Sequence, residues 1–270
     1  MTASLGVGLK KEEYVELVKG YSQALEKSYF RLTSAPDPAD VRPASVLLRS
    51  LRHVKQHWAS NEDYEFACDQ LKSIRQDLTV QGIEDQLTVD VYQTHGRIAL
   101  EHGDMNEYMQ CQSRLRELTL AGVEVAKDEF TAYRLLFSLY RQNFRQVNST
   151  MASLTPGEKT GEAVRHALNV VSAYHSSNYH QFFRLYNDAP NMSGYVMDFL
   201  VQRFRRTAVK AMVKAYMPTL PVQFIQDQLA FVDEGEVVQF LASMKAKLQP
   251  LQGDMKLAVD IKATRSAWAT

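Results

Sequence analysis

The sequence predicts an all-α chain, a stack of helix pairs closing on a small module with a short β element. Three observations lead there. Between Pro43 and Pro156 there is no proline, and apolar residues recur at three and four positions instead of alternating, as in Val46, Leu47, Leu51, Val54 and Trp58. Turn residues punctuate that pattern in a similar way more than once. A period-two pattern appears only near the C-terminus.

Composition sets the frame for these elements. The chain has 270 residues, equal numbers of acidic and basic groups, 45% hydrophobic and 23% charged residues, close to the globular average and unlike a disordered or collagenous chain. Two cysteines, Cys68 and Cys111, cannot build a disulfide framework, and each lies in an apolar-periodic stretch where a thiol packs as a small hydrophobe. A reducing compartment is expected. The start, Met1 to Lys10, has no signal-like apolar run, and no stretch of about 18 apolar residues occurs. The expectation is a soluble protein, neither secreted nor membrane-spanning.

In chain order, the first helix is expected at about Lys11 to Phe30. Ala35 to Pro43 (APDPADVRP) carries three prolines and must be an extended or turning connection, because each proline restricts the residue before it. Helices follow one another through the proline-free stretch. Gly103 supplies a C-terminal stop, Asp104 an N-cap and Glu107 a capping-box partner, so Thr88 to His102 and Met105 to Leu118 should form an antiparallel hairpin. Ala99 and Tyr108 are nine apart around that turn; Ala173 and Phe182 are nine apart around Ser176-Ser177-Asn178. A looser corner lies at Asn61-Glu62-Asp63. Such corners describe a degenerate tetratricopeptide-like solenoid.

The last seventy residues change character. Asp198 to Met217 reads as one amphipathic helix stopped by Pro218; Pro221 opens a second over Val222 to Phe231, and Glu236 to Leu248 forms a third. Lys256 to Ala263 then alternates Leu257, Val259 and Ile261 against polar or small residues, a strand pattern. Helices followed by a β wing suggest a winged helix, giving a helical-repeat region at 1–197 and a winged-helix region at 198–270.

Catalytic chemistry has little support. His53 and His57 share a helical face at a spacing used for metals, but no Glu completes HExxH and no third ligand is evident. His95, His102, His175 and His180 fall near corners and read as packed or surface imidazoles. No phosphate cradle, dinucleotide fingerprint, nucleophile elbow or CxxC pair occurs, and neither cysteine has an activating neighbour. Neither a cofactor nor a metal is expected. Arg75 and Asp77, two apart, cannot face each other on a helix and should anchor different neighbouring segments.

Charge is unevenly placed. Residues 61–130 carry 6 basic and 15 acidic groups, whereas 198–270 carry 10 and 7. Arg203, Arg206, Lys210 and Lys214 fall at helical offsets that put them on one face, with Arg205 beside it. Lys245, Lys247, Lys256, Lys262 and Arg265 extend the basic character into the wing. These ten residues are the expected nucleic-acid contacts, with a solvated face as the alternative.

Several long strings, among them EKSYFRLTSAPDPADVRP at Glu26 to Pro43 and SIRQDLTVQ at Ser73 to Gln81, make the chain resemble the Sac/GANP family. The likeness runs over most of residues 26–231. It implies a helical array followed by a winged helix related to PCI domains, and a non-enzymatic scaffold in nuclear messenger RNA processing and export. Implied partners are a PCI-domain protein of the Csn-twelve or PCI-domain-containing-two type, a small acidic DSS-one type peptide, and RNA or DNA, with no membrane and no small-molecule substrate. Phe224, Leu229, Phe231 and Phe240 are the expected partner-interface residues. The alternative is a purely structural PCI-type subunit without nucleic-acid contact.

Overall fold

In the computed structural model, residues 17–251 and 256–269 are described. The chain divides into two compact units, one built up to Val125 apart from the turn at Gly103–Met105, the other from Ala126 onward.

The first unit holds α1 (Ala44–Asn61), α2 (Tyr64–Val80), α3 (Gln86–His102) and α4 (Met105–Leu120). Its core is the apolar stripe read from the sequence: Leu47, Leu51 and Val54 of α1 pack with Leu71, Ile74 and Leu78 of α2 and Val91 and Ile98 of α3. Glu62 takes a left-handed conformation to end α1, and Asp63 caps α2 by accepting from the Phe66 amide. Asp85 does the same for α3, accepting from the amides of Leu87 and Thr88. Gly103, at φ +82°, ends α3 as expected.

The helix expected at about Lys11 to Phe30 is not there over the described part. Residues 17–32 have no regular secondary structure and bend at Leu25, and residues 11–16 lie outside the described residues. Leu17, Tyr21, Leu25 and Tyr29, which are four apart in sequence, are exposed. Side chains of α2 supply the competing order. The Lys27 amide donates to Gln70 Oε1, the Tyr29 amide to Asp69 Oδ1 and the Gly20 amide to Gln81 Oε1, so amides a helix would use internally are spent on the α2 surface.

The second unit contains α5 (Lys127–Tyr140), α6 (Phe144–Ser153), α7 (Glu162–His175), α8 (Tyr179–Asn187) and the long α9 (Ser193–Ala215). Small residues Ala163 and Ala167 let α7 lie close against α5, and Asp128 of α5 caps α7 by accepting from the amides of Ala163 and Val164. Ser177, at φ +55°, and the capping side chain of Asn178 make the corner expected between Ala173 and Phe182, both of which are buried. Phe182, Tyr174 and Phe204 meet in an aromatic cluster, with the Phe182 and Phe204 rings 4.4 Å apart.

After α9 the chain forms β1 (Thr219–Pro221), α10 (Val222–Gln228), α11 (Glu234–Ser243), β2 (Leu248–Pro250), β3 (Leu257–Asp260) and α12 (Ile261–Ala269). The antiparallel sheet has the order β1-β3-β2, with Val259 opposite both Leu220 and Leu248. The expected strand Lys256 to Ala263 is therefore shorter. It ends at Asp260, whose carboxylate accepts from the Ala263 amide and starts α12, a helix the sequence pattern missed. Ala258 and Val259 are both fully buried, since the central strand is covered on both faces. α9 begins five residues earlier than expected, at Ser193, so that positions 197 and 198 both lie inside it.

Candidate nucleic-acid interface

One side of α9 is apolar and buried, with Val196, Leu200, Phe204, Ala208 and Met212 in the core. Arg203, Arg206, Lys210 and Lys214 are all exposed on the other. Arg203 donates to the Tyr140 carbonyl at 3.1 Å and lies over its ring; Arg206 lies over the Phe240 ring. Among the described residues none of the four forms an ion pair, so the row keeps its four positive charges uncompensated at contact range. Lys245, Lys247 and Lys262 are likewise exposed and outside any ion pair, and Lys256 is exposed.

Two of the ten expected contacts serve other purposes. Arg205 is only 5% exposed. Its Nε donates to the Leu229 carbonyl, Nη2 to the Ala230 carbonyl and Nη1 to Glu236 Oε1, while its guanidinium covers the Phe231 ring 3.6 Å from the centroid. It pins the α10–α11 turn onto α9 and cannot reach a phosphate. Arg265 donates through Nε to the Val213 carbonyl and through Nη2 to that of Lys214, capping α9 where the helix dipole favours a cation.

The expected partner residues are corrected in the same way. Leu229, Phe231 and Phe240 are buried and fill the module's own core, with the Phe231 and Phe240 rings 5.3 Å apart. Phe224 is half-buried against Tyr216. The large apolar side chains facing solvent nearby are Tyr216, Met217 at 61% exposure and Val232 at 87%.

The polar side chains of the first unit are structural anchors, and most were invisible as a set. Arg42 is fully buried: its Nε lies 2.6 Å from Asp77 Oδ2, Nη2 donates to Ser73 Oγ and Nη1 to the Leu25 carbonyl. Lys27 reaches Asp77 Oδ1 at 2.7 Å, and Gln81 donates to the carbonyls of Arg42 and Asp77. Arg75 points elsewhere, as the two-residue spacing requires, donating through Nη1 to Glu107 Oε2 at 3.0 Å and through Nη2 to Gln110. Apart from Arg42–Leu25, 17 apart, and Gln81–Asp77, 4 apart, these partners are separated by 31 to 50 residues and give no local signal, but Lys27, Arg42, Ser73, Arg75, Asp77 and Gln81 lie in the strings that carried the family resemblance.

No histidine forms a metal site: among the described residues no His, Cys, Asp and Glu cluster could hold an ion. His53 bonds Glu26, His57 packs on the Phe66 ring, and His102 stacks on Tyr64. His95 is buried with Nδ1 3.1 Å from Arg75 Nη1, His175 packs on Phe144, and His180 bonds Gln228. Cys68 and Cys111 are buried free thiols. Burial drives the Cys111 thiol up to about 12 despite nearby Arg75, so it is not a nucleophile at neutral pH. No helix among the described residues is long and apolar enough to cross a membrane.

Successive helix pairs followed by a small helix-and-strand module with an exposed basic helix face define a class of helical-repeat proteins. The SAC3/GANP family profile matches residues 11–109 and 105–250. The chain belongs to the SAC3/GANP family. It is 49% identical over 227 residues to a leukocyte receptor cluster member 8 homolog of Xenopus laevis, covering 84% of this chain and 28% of that protein. It is 47% identical over 227 residues to a THP3 homolog of Schizosaccharomyces pombe, covering 84% and 58%, and 31% identical over 231 residues to protein THP3 of Saccharomyces cerevisiae, covering 83% and 49%. The chain thus spans less than two thirds of the length of each of these relatives.

Proposed function

We propose that this chain is a non-enzymatic scaffold of nuclear messenger RNA processing and export, which binds RNA or DNA through the basic face of α9 when paired with a PCI-domain protein. The observation that carries the reading is the set of four exposed cations, Arg203, Arg206, Lys210 and Lys214, in register on one helix face with no carboxylate bonded to any of them. Phosphates spaced along a nucleic-acid backbone suit such a row, because each contact releases condensed counterions. The order of α9, β1, α10, α11, β2 and β3 is that of a winged helix, and Lys245, Lys247 and Lys262 extend the positive surface around it. Family membership supports the messenger RNA setting and the scaffold role.

For the protein partner, Tyr216, Met217 and Val232 replace the buried residues first expected, with the Phe224 ring packed at a tilt against Tyr216. A PCI-domain chain docking there would cover the most exposed apolar side chains of the module, and a small acidic peptide would support that partner.

The test is charge reversal of Arg203, Arg206, Lys210 and Lys214 together to Glu, in a complex reconstituted with the PCI partner. If the four contact single-stranded RNA phosphates, the slope of log K against log salt flattens by roughly 3, at about 0.7 per neutralised phosphate. Unchanged affinity and slope would overturn the nucleic-acid reading and leave a purely structural subunit.

A further inference from the structure

We propose that the cleft between the irregular strap of residues 17–32 and helices α2 to α4 binds a short acidic peptide, seating one carboxylate side chain beside a bulky apolar one. This inference is independent of the basic face of α9. The cleft has a volume of about 490 Å³, within the range of sites that hold two or three side chains. Its lining has two characters. Tyr29 and Leu32 from the strap, with Val80 and Tyr92, form an apolar wall; Lys72, Arg75, Gln76 and Gln110 form a polar one.

The electrostatics of the polar wall select an anion of small charge. Glu107 is held between Lys72, at 3.2 Å, and Arg75, at 3.0 Å, which leaves one positive charge in excess. Burial works against the charge of both cations, but their neighbours outweigh it and hold Lys72 and Arg75 above their ordinary ranges, so both stay charged. Arg75 Nε is buried and has no acceptor among the described residues, a donor whose unmet bond is costly. Lys72 is about a third exposed and can turn toward an incoming carboxylate.

The apolar wall selects the second side chain. Leu32 is 39% exposed and Phe30, next to Tyr29 on the same strap, is 74% exposed. Large hydrophobics left bare on an otherwise anchored segment mark a contact surface. The strap is firmly anchored here: Gln76 Nε2 donates to the Phe30 carbonyl and the Tyr29 amide donates to Asp69. A peptide is favoured over nucleic acid because residues 61–130, which supply α2 to α4, carry 15 acidic groups against 6 basic. A polyanion is repelled at that surface, whereas one or two peptide carboxylates are not.

The experiment uses the full 270-residue chain and fluorescein-labelled peptides followed by anisotropy. The probe has the sequence Gly-Asp-Leu-Phe-Gly with an amidated C-terminus, so that it carries one carboxylate side chain, with Gly-Lys-Leu-Phe-Gly and an oligouridylate of equal length as comparisons. The acidic peptide should bind saturably, and at least about tenfold more tightly than the lysine peptide, a gap of roughly 1.4 kcal/mol. Leu32→Asn, an exposed strap position, should weaken it about tenfold while leaving the unfolding midpoint near that of the parent; Lys72→Glu, which also sets a second carboxylate beside Glu107, should weaken it at least as much in a chain that still folds but melts lower. Failure of the acidic peptide to saturate, equal binding by the lysine peptide, or preferential binding of oligouridylate lost on Lys72→Glu would overturn the proposal. So would a Leu32→Asn chain that folds and binds like the parent.

Discussion

Replacing Arg205 by Met removes the guanidinium while keeping most of the aliphatic stem packed, which isolates the polar role of the pin. The Leu229 carbonyl belongs to a fully buried residue and loses its Arg205 donor, a cost of about 1–3 kcal/mol. The Ala230 carbonyl and Glu236 are partly exposed and recover water, so they add less. Loss of the cation over Phe231 adds about 0.5–1 kcal/mol. The sum is about 2–4 kcal/mol, which for a unit of this size lowers the melting temperature by roughly 5–15 °C. Arg206→Met, one residue on but exposed, should stay within about 0.5 kcal/mol of the parent. Calorimetry on both variants is the assay. Equal melting temperatures for the two variants would refute the assignment of Arg205 as a pin, as would an Arg205→Met chain that is folded and stable yet selectively loses RNA.

Asp77→Ala leaves the buried Arg42 charge without its counterion, and urea unfolding should show a loss of about 3–5 kcal/mol; a loss under 1 kcal/mol would mean water reaches Arg42. Cys111, with its thiol pushed up to about 12 and buried, should resist a thiol reagent at pH 8 in the native protein and react fully in denaturant. His166 is held below its ordinary value of 6.5 mainly by burial, against the pull of the Leu185 carbonyl. The unfolded chain therefore takes up this proton first, and stability falls as pH drops below about 6.5. His166→Gln should flatten that part of the melting-temperature profile, and an unchanged slope would exclude His166 as its source.

The helical array was legible because local rules set it. The stripe Leu47, Leu51, Val54 and the stops at Gly103 and Ser177-Asn178 depend on neighbours three to five residues away, and they fold as read. The corners read at Glu62, Gly103 and Ser177 belong to a series with a fourth at Gln142: these left-handed residues, 41, 39 and 35 apart, are each followed by Asp or Asn. The Gln142 corner had no glycine or serine pair to mark it. The strap failed for the opposite reason. Leu17, Tyr21, Leu25 and Tyr29 have helical spacing, but acceptors on α2 some 40 to 60 residues away decide their backbone. On α9, periodicity put Arg203, Arg206, Lys210 and Lys214 on one face, and all four are exposed there, but Arg205 could be assigned only with α10 and α11 in place, since its acceptors are the carbonyls of Leu229 and Ala230.

A one-dimensional array ordinarily melts from its outermost repeat, which has a neighbour on one side only. The strap gives α1 and α2 a second neighbour, tied through Arg42, Gln70, Asp77 and Gln81. Amide protons of α2 should therefore exchange with solvent as slowly as those of α3, opening together with them and not ahead of them. Mass-resolved deuterium uptake across Tyr64–Val80 would show whether the strap holds α2 closed.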